Sequence, residues 1–130
     1  MIVDTSALIA ILKNEPEAQA FADAIEAAKV VRISAATFIE AHIVVRGYKN
    51  PVLLGRLDEI LDNPGLQIEP VTAEQALIAS DGHRNYGRGS GHPAKLNFGD
   101  CFSYALARVK REPLLFKGDD FGHTDLRPAV

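Results

Sequence analysis

The sequence predicts an α/β fold built on a mostly parallel central sheet covered on both faces. Three observations carry that prediction. Short runs rich in β-branched residues alternate with longer helical segments along the whole chain. The opening run Met1-Ile2-Val3 is apolar throughout, as expected of a strand buried on both faces. At 130 residues, with 47% apolar and 24% charged residues, the chain has the composition of one globular domain spanning 1–130. A chain of this length buries roughly 65–70% of its unfolded surface, enough for a real core.

Met1–Asp4 reads as a short buried strand, followed by an apolar helical segment over Ser6–Leu12 capped by Thr5 or Ser6. Glu15-Pro16-Glu17 starts the next helix, with proline in the first turn beside two acids, and it runs to about Ala28. Val30–Ser34 is a second strand. A helix from Ala35 to Arg46 follows and is expected to stop at Gly47. Asn50-Pro51 opens a helix carrying Leu53, Leu54, Leu57, Ile60 and Leu61 at helical spacing, stopped by Asn63-Pro64-Gly65. Leu66–Val71 is a third strand, and Thr72 and Gln75 stand at capping-box spacing at the start of another helix. The segment from Asn85 to Lys95 holds three glycines together with Arg88, His92 and Lys95, and reads as a mobile loop. A helix over 98–110, a strand over Pro113–Phe116 and a short edge strand near Leu126 complete the chain.

Composition narrows the chemistry. The net charge of −3 gives no bulk basic signature for nucleic acid, although a local basic rim or a metal can serve an acidic centre. Cys101 is the single cysteine, so no disulfide framework is expected and a reducing, cytoplasmic setting fits. No signal peptide and no membrane helix are expected. His42 reads as a packed or surface side chain, and His83, His92 and His123 lack mutual ligand spacing, which argues against zinc. No Ser-His-Asp arrangement surrounds Ser6, and Cys101 reads as core rather than nucleophile.

What stands out is a set of acids at the seams between elements: Asp4 after the first strand, Glu40 within the third helix, Asp100 at a helix start, and Asp119 and Asp120 after the last strand. Taken singly, each has a plain explanation. Asp4 caps a helix, Asp100 is stabilised by a helix dipole, Asp119 and Asp120 form a turn, and Glu40 sits at the boundary of the core. Glu40 is the most telling, because its neighbours Ala36, Ile43 and Val44 are apolar and an unpaired buried carboxylate is costly. A parallel sheet gathers residues at the carboxyl ends of its strands to one edge. Carboxylates collected there repel one another unless a cation stands between them, and an all-oxygen set favours Mg²⁺ or Mn²⁺. This is the outline of a metal-dependent phosphodiesterase.

Two other acid-bearing classes fit less well. A phospho-receiver domain needs an acceptor Asp at the end of the third strand, which here reads Ile68-Glu69-Pro70-Val71, and a haloacid-dehalogenase site needs a second acid where Asp4-Thr5-Ser6 has none. A non-catalytic binding module on the same fold remains the alternative.

The stretches Met1-Ile2-Val3-Asp4-Thr5-Ser6-Ala7-Leu8, Ser34–Ala41, Leu96–Ala105 and Leu115–Phe121, in that order and spacing, resemble the PIN-domain ribonucleases. Within them the chain is most similar to the VapC toxins of bacterial toxin–antitoxin pairs. The resemblance implies a three-layer α/β/α fold and a Mg²⁺-dependent endoribonuclease, with Mn²⁺ able to substitute. Asp4, Glu40, Asp100 and Asp119 would be its catalytic acids, with Asp4 and Asp100 as the chief metal ligands and Thr5 or Ser6 as the supporting hydroxyl. Many members carry Thr-x-Asp before the last acid where this chain has Lys117-Gly118-Asp119-Asp120, so the fourth acid is open between Asp119 and Asp120. The resemblance further implies an RNA substrate, a homodimer and a small antitoxin protein that covers the site. Arg84, Arg88, His92 and Lys95 either contact phosphates of the substrate or only solvate their loop.

Overall fold

The computed structural model describes all residues from Met1 to Val130. Four strands, β1 (Ile2–Val3), β2 (Val31–Ser34), β3 (Leu66–Glu69) and β4 (Leu114–Leu115), form one parallel sheet in the order β3-β2-β1-β4. Six helices connect them: α1 (Thr5–Leu12), α2 (Ala18–Ala27), α3 (Ala35–Gly47), α4 (Pro51–Leu61), α5 (Ala73–Tyr86) and α6 (Phe98–Lys110). Each crossover between consecutive strands therefore carries two helices.

The apolar strands are read by the two helical layers in alternation. Val3, Val31, Ile33 and Leu115 point into a core shared with Leu8, Leu12, Phe21, Val45, Leu57 and Leu61 of α1 to α4. Ile2 and Leu114, one residue earlier on β1 and β4, point to the other face and pack with Tyr104, Leu106 and Ala107 of α6. This two-residue period on a doubly covered sheet gives the three-layer α/β/α arrangement expected.

Several boundaries shift from expectation for physical reasons. β3 ends at Glu69 rather than Val71, because its partner Ser34 is the last residue of β2 and caps α3, and because Pro70 has no N–H to continue the ladder. Glu15-Pro16-Glu17 forms a turn, in which Ala18 N–H donates to Glu15 O, and α2 begins only at Ala18. Gly47 is the last residue of α3 rather than the first beyond it; Tyr48 is the C-cap, and Lys49 takes the left-handed conformation with φ of 52° before Asn50 caps α4. The last strand is short, but the tail returns to it: Leu114 N–H donates to Arg127 O and Ala129 N–H to Leu114 O, a parallel bridge close to the edge strand expected near Leu126.

Between α5 and α6 the chain is stapled at its neck. Leu96 N–H donates to Tyr86 O and Arg88 N–H to Leu96 O, while Ala94 and Leu96 are fully buried. The loop between these anchors thus has a fixed base. No helix is long and apolar enough to cross a membrane.

Candidate active site

In the order β3-β2-β1-β4 the chain leaves β1 toward β2 on one side and returns to β4 on the other. The carboxyl ends of β1 and β4 therefore flank the point where the strand order reverses. Crevices at such points are where open α/β sheets bind ligands. Asp4 follows β1 directly, and Asp119 and Asp120 lie shortly after β4.

Asp4 is buried, with 3% of its surface exposed, and serves as the N-cap of α1. Its Oδ2 accepts the Ser6 N–H at 2.9 Å and the Ser6 hydroxyl at 2.7 Å. Ser6 Oγ in turn accepts the Lys117 N–H at 3.0 Å, which ties the exit of β4 to the start of α1. Asp4 Oδ1 accepts the hydroxyl of Ser103, on α6, at 2.6 Å. Ser103 has one proton and spends it on Asp4, so the 3.2 Å contact between Ser103 Oγ and Thr37 Oγ1 requires Thr37 to donate. A chain of buried hydroxyls from α3 through α6 thus orients the first acid.

Glu40 and Asp100 arrive from the same two helices. Thr5 donates its hydroxyl to Glu40 Oε1 at 2.5 Å. Glu40 Oε2 lies against Gly99, so closely that a Cβ at that position would collide with the carboxylate. Asp100 is the third residue of α6 and completes a reciprocal cap: its Oδ2 accepts the Asn97 N–H at 2.9 Å while Asn97 Oδ1 accepts the Asp100 N–H at 2.9 Å. Both functional hydroxyls of the sequence motif are therefore in use, Ser6 on Asp4 and Thr5 on Glu40.

The electrostatics show that the acids are neighbours. Burial, foremost, pushes the Asp100 carboxyl up from 3.8 to about 6; the Asn97 hydrogen bond opposes this, and the charges of Asp4, Asp120 and Glu40 add to it. Burial also raises Glu40, offset by the Thr5 hydrogen bond and reinforced by Asp4. The structure thus brings Asp4, Glu40 and Asp100 together. Of the two adjacent acids in the last turn, Asp120 is the one whose charge acts on Asp100; Asp119 and Asp120 are both exposed.

The donor set was tested against a divalent ion. Each half-buried acid has one oxygen tied to the protein, Oε1 of Glu40 and Oδ2 of Asp100, which leaves Oε2 and Oδ1 for another partner, and Asp4 Oδ1 accepts only from Ser103, which leaves it one lone pair. No three acidic, histidine or cysteine side chains stand together at coordinating distance. The residues present therefore fit an ion held by one or two carboxylates, with water filling the remaining positions, which is how Mg²⁺ is commonly bound. A closed all-protein cage does not fit.

Other sequence expectations fall outside the cluster. His42 Nδ1 bonds Phe38 O at 2.8 Å and its Nε2 meets Asp58 at 3.1 Å, so it joins α3 to α4 as a packing residue. Cys101 is buried and donates to Asn97 O at 3.2 Å, and burial, with the Asp100 charge, holds its thiol protonated to higher pH. It is a poor nucleophile. Three contributors had not been singled out: Ser103, Thr37 and Gly99. Ser103 lies three residues after Asp100 and Thr37 three before Glu40, one helical turn from each acid and on the same face. That spacing was the available signal.

Comparison with known proteins identifies the family and the fold. The family model for the PIN domain matches residues 1–126. Ribonuclease VapC28 of Mycobacterium tuberculosis is 54% identical over 130 residues, covering 100% of this chain and 98% of that protein. Among solved structures, VapC20 of Mycobacterium tuberculosis, described as a sarcin-ricin loop cleaving toxin, superposes with a TM-score of 0.75 at 20% identity, covering 98% of both chains. VapBC2 of Rickettsia felis, solved bound to a DNA fragment from its promoter, gives a TM-score of 0.73 at 15% identity, covering 98% of this chain and 94% of that one.

Proposed function

The chain belongs to the PIN-domain family, and from that premise we propose that it is a divalent-metal-dependent endoribonuclease of the VapC toxin type. The observation that carries the reading is the convergence of Asp4, Glu40, Asp100 and Asp120 at the reversal point of the sheet, close enough that mutual repulsion helps lift Asp100 to about 6. Such crowding is relieved by a cation, and membership of a group whose close relative is named a ribonuclease supports RNA as the substrate.

In this reading Asp4 and Asp100 hold the ion, Mg²⁺ with Mn²⁺ as a substitute. When bound, the ion neutralises charge on the scissile phosphate and makes a water easier to deprotonate. Ser6 and Ser103 fix the Asp4 carboxylate, so its orientation is set before substrate arrives. Thr5 and the bare Cα of Gly99 set Glu40 with Oε2 directed away from its anchor. Glu40 is the group that orients the attacking water and takes its proton, a role suited by a carboxyl that burial holds above its ordinary range. Asp120, the exposed acid, completes the ring, and of the two candidates it is our choice for the fourth position in place of Asp119.

The same reading makes the protein a cytoplasmic homodimer held inactive by a small antitoxin. The acidic pocket would attract a basic side chain of that partner. The test is cleavage of RNA by the purified chain. Excess chelator should abolish it and Mn²⁺ should restore it; cleavage undiminished in excess EDTA would reject the mechanism.

A further inference from the structure

An acidic centre on a protein of net charge −3 repels the polyanion it is meant to cut, so cations must stand nearby. Of the fourteen Lys and Arg side chains, carboxylates occupy five: Arg32, Arg84, Arg108, Lys110 and Lys117. Arg88 and Lys95 take part in no such pair. They lie with His92, Gly89 and Gly91 around a concavity of about 600 Å³ in the loop before α6.

This loop is built rather than slack. Gly89 and Gly91 take left-handed φ values of 86° and 82°, and Lys95, a residue with a side chain, takes 50°. Ser90 Oγ donates to Gly87 O at 2.6 Å and accepts the His92 N–H at 3.2 Å. His92 Nδ1 accepts the Ala94 N–H at 3.1 Å, and its ring stands edge-on to Tyr86 at 4.9 Å. A ring nitrogen that accepts carries no proton, so Nε2 is left as a donor. The loop therefore presents two free cations and one oriented N–H donor.

Three residues beyond Lys95 stands Phe98, with 79% of its surface exposed, the most exposed of the large hydrophobic residues. Its ring is braced edge-to-face on Phe102 at 4.9 Å. Phe98 precedes Asp100 by two residues and Lys95 precedes it by five, so with at most about 3.6 Å per residue the Lys95 Cα is within about 18 Å of that of Asp100. Unpaired cations in the loop that leads into a braced, exposed aromatic ring supply the two components of a single-strand nucleic-acid groove, the cations tracking phosphates and the ring stacking a base.

We propose that Arg88, His92, Lys95 and Phe98 form the surface that holds single-stranded RNA beside the acids, with the loop on the backbone and Phe98 against an unstacked base. The proposal rests on the ribonuclease reading and adds to it both the form of the RNA and its route. Stacking on Phe98 requires a base free of its neighbours, so a duplex should bind more weakly. Phe98 also borders an apolar groove with Val71, Ala76 and Phe102, which would suit a protein instead; the uncommitted cations favour RNA.

The test uses the full chain carrying Asp100→Asn to prevent cleavage, with a labelled uridine oligomer and a duplex as probes, titrated by anisotropy at several salt concentrations. Arg88→Gln with Lys95→Gln keeps the side-chain stems and removes both charges. The dependence of log affinity on log salt should flatten by about 1.4, at about 0.7 per phosphate contact in a single strand. Phe98→Ala should weaken binding by about fivefold to a hundredfold without changing that slope, and Phe98→Tyr should restore it. An unchanged slope in the Gln pair, or equal affinity for duplex and oligomer, would overturn the proposal while wild-type cleavage left the ribonuclease reading standing. So would a Phe98→Ala chain that binds RNA normally but sediments as a smaller species, since the ring would then serve a protein interface. A wild-type chain that neither binds nor cuts RNA would overturn both.

Discussion

Replacing Asp100 with Asn should make the metal-free protein more stable, although it removes a residue assigned to the catalytic centre. The Asp100 carboxyl is half-buried among Asp4, Glu40 and Asp120 and is raised from 3.8 to about 6. The gap of about two pH units, at about 1.4 kcal/mol each, sets an upper limit near 3 kcal/mol for the cost of its charge in the fold. Partial exposure screens that, leaving about 1–2 kcal/mol. The sign follows from proton uptake. Between about pH 4 and 6 the folded state holds a proton that the unfolded chain has released, so this group's contribution is complete below the lower value and lost as pH rises to the upper one. Above pH 6 the wild type carries the full cost and Asp100→Asn does not, while the Asn oxygen still accepts the Asn97 N–H that caps α6. In chelator at pH 7.5 the variant should melt about 3–8 °C higher. The difference between the two proteins, followed by thermal or urea denaturation, should shrink as pH falls through that window. Mg²⁺ should reverse the order by stabilising the wild type through mass action and the variant much less. A variant less stable than wild type in chelator at neutral pH, or two pH profiles that run parallel, would refute the reasoning.

Four further substitutions separate the parts of the site. Gly99→Ala improves helix propensity by roughly 0.5–1 kcal/mol but drives a Cβ into Glu40, so stability should stay within about 1 kcal/mol while the cleavage rate falls about a hundredfold or more, read by single-turnover kinetics. Ser103→Ala removes the donor to Asp4 Oδ1 and should cost about 1.5–3 kcal/mol in urea denaturation and about tenfold to a hundredfold in metal affinity by calorimetry; unchanged metal affinity would mean the serine only fills space. Asp120→Asn should lower cleavage by about tenfold or more and Asp119→Asn should not, a comparison of rates that would return the fourth position to Asp119 if the order were reversed.

The site explains features that look like faults when each is taken alone. A glycine in the first turn of α6 is a weak helix former, yet the bare Cα is what admits the Glu40 carboxylate from α3. Ser103 and Thr37 are polar groups with almost no exposed surface in the middle of packed helices, and they satisfy each other and Asp4 rather than the backbone. Away from these acids a different polar network ties the strands together. Arg32 binds Glu112 at 2.8 Å and Glu69 at 2.9 Å, and Glu112 also meets the amino terminus at 2.5 Å. That cluster is matched in charge, with cations between its acids. The cluster at the carboxyl ends is not, and this contrast marks the second as the place for a dication.

What the sequence determined by itself is periodic or local. The apolar strand runs, the helical spacing of Leu53, Leu57 and Leu61, the Asn50 cap with Pro51 after it and the Thr72 cap are set within one or two turns of chain, where spacing alone decides which face is buried. The positions of Asp4 and Asp100 at element ends, and of Glu40 in an apolar stretch of α3, were legible for the same reason, as was their family pattern. The tertiary structure decided what depends on contacts between segments distant in the chain. Only the order β3-β2-β1-β4 brings the end of β1 beside the end of β4, and only packing of α3 against α6 sets Glu40 on Gly99 and Thr37 on Ser103, 66 residues apart. The choice between Asp119 and Asp120 belongs to this second class. Neighbours in sequence share composition and turn propensity, and what separates them is which carboxylate comes near enough to Asp100 for its charge to be felt through a partly desolvated site.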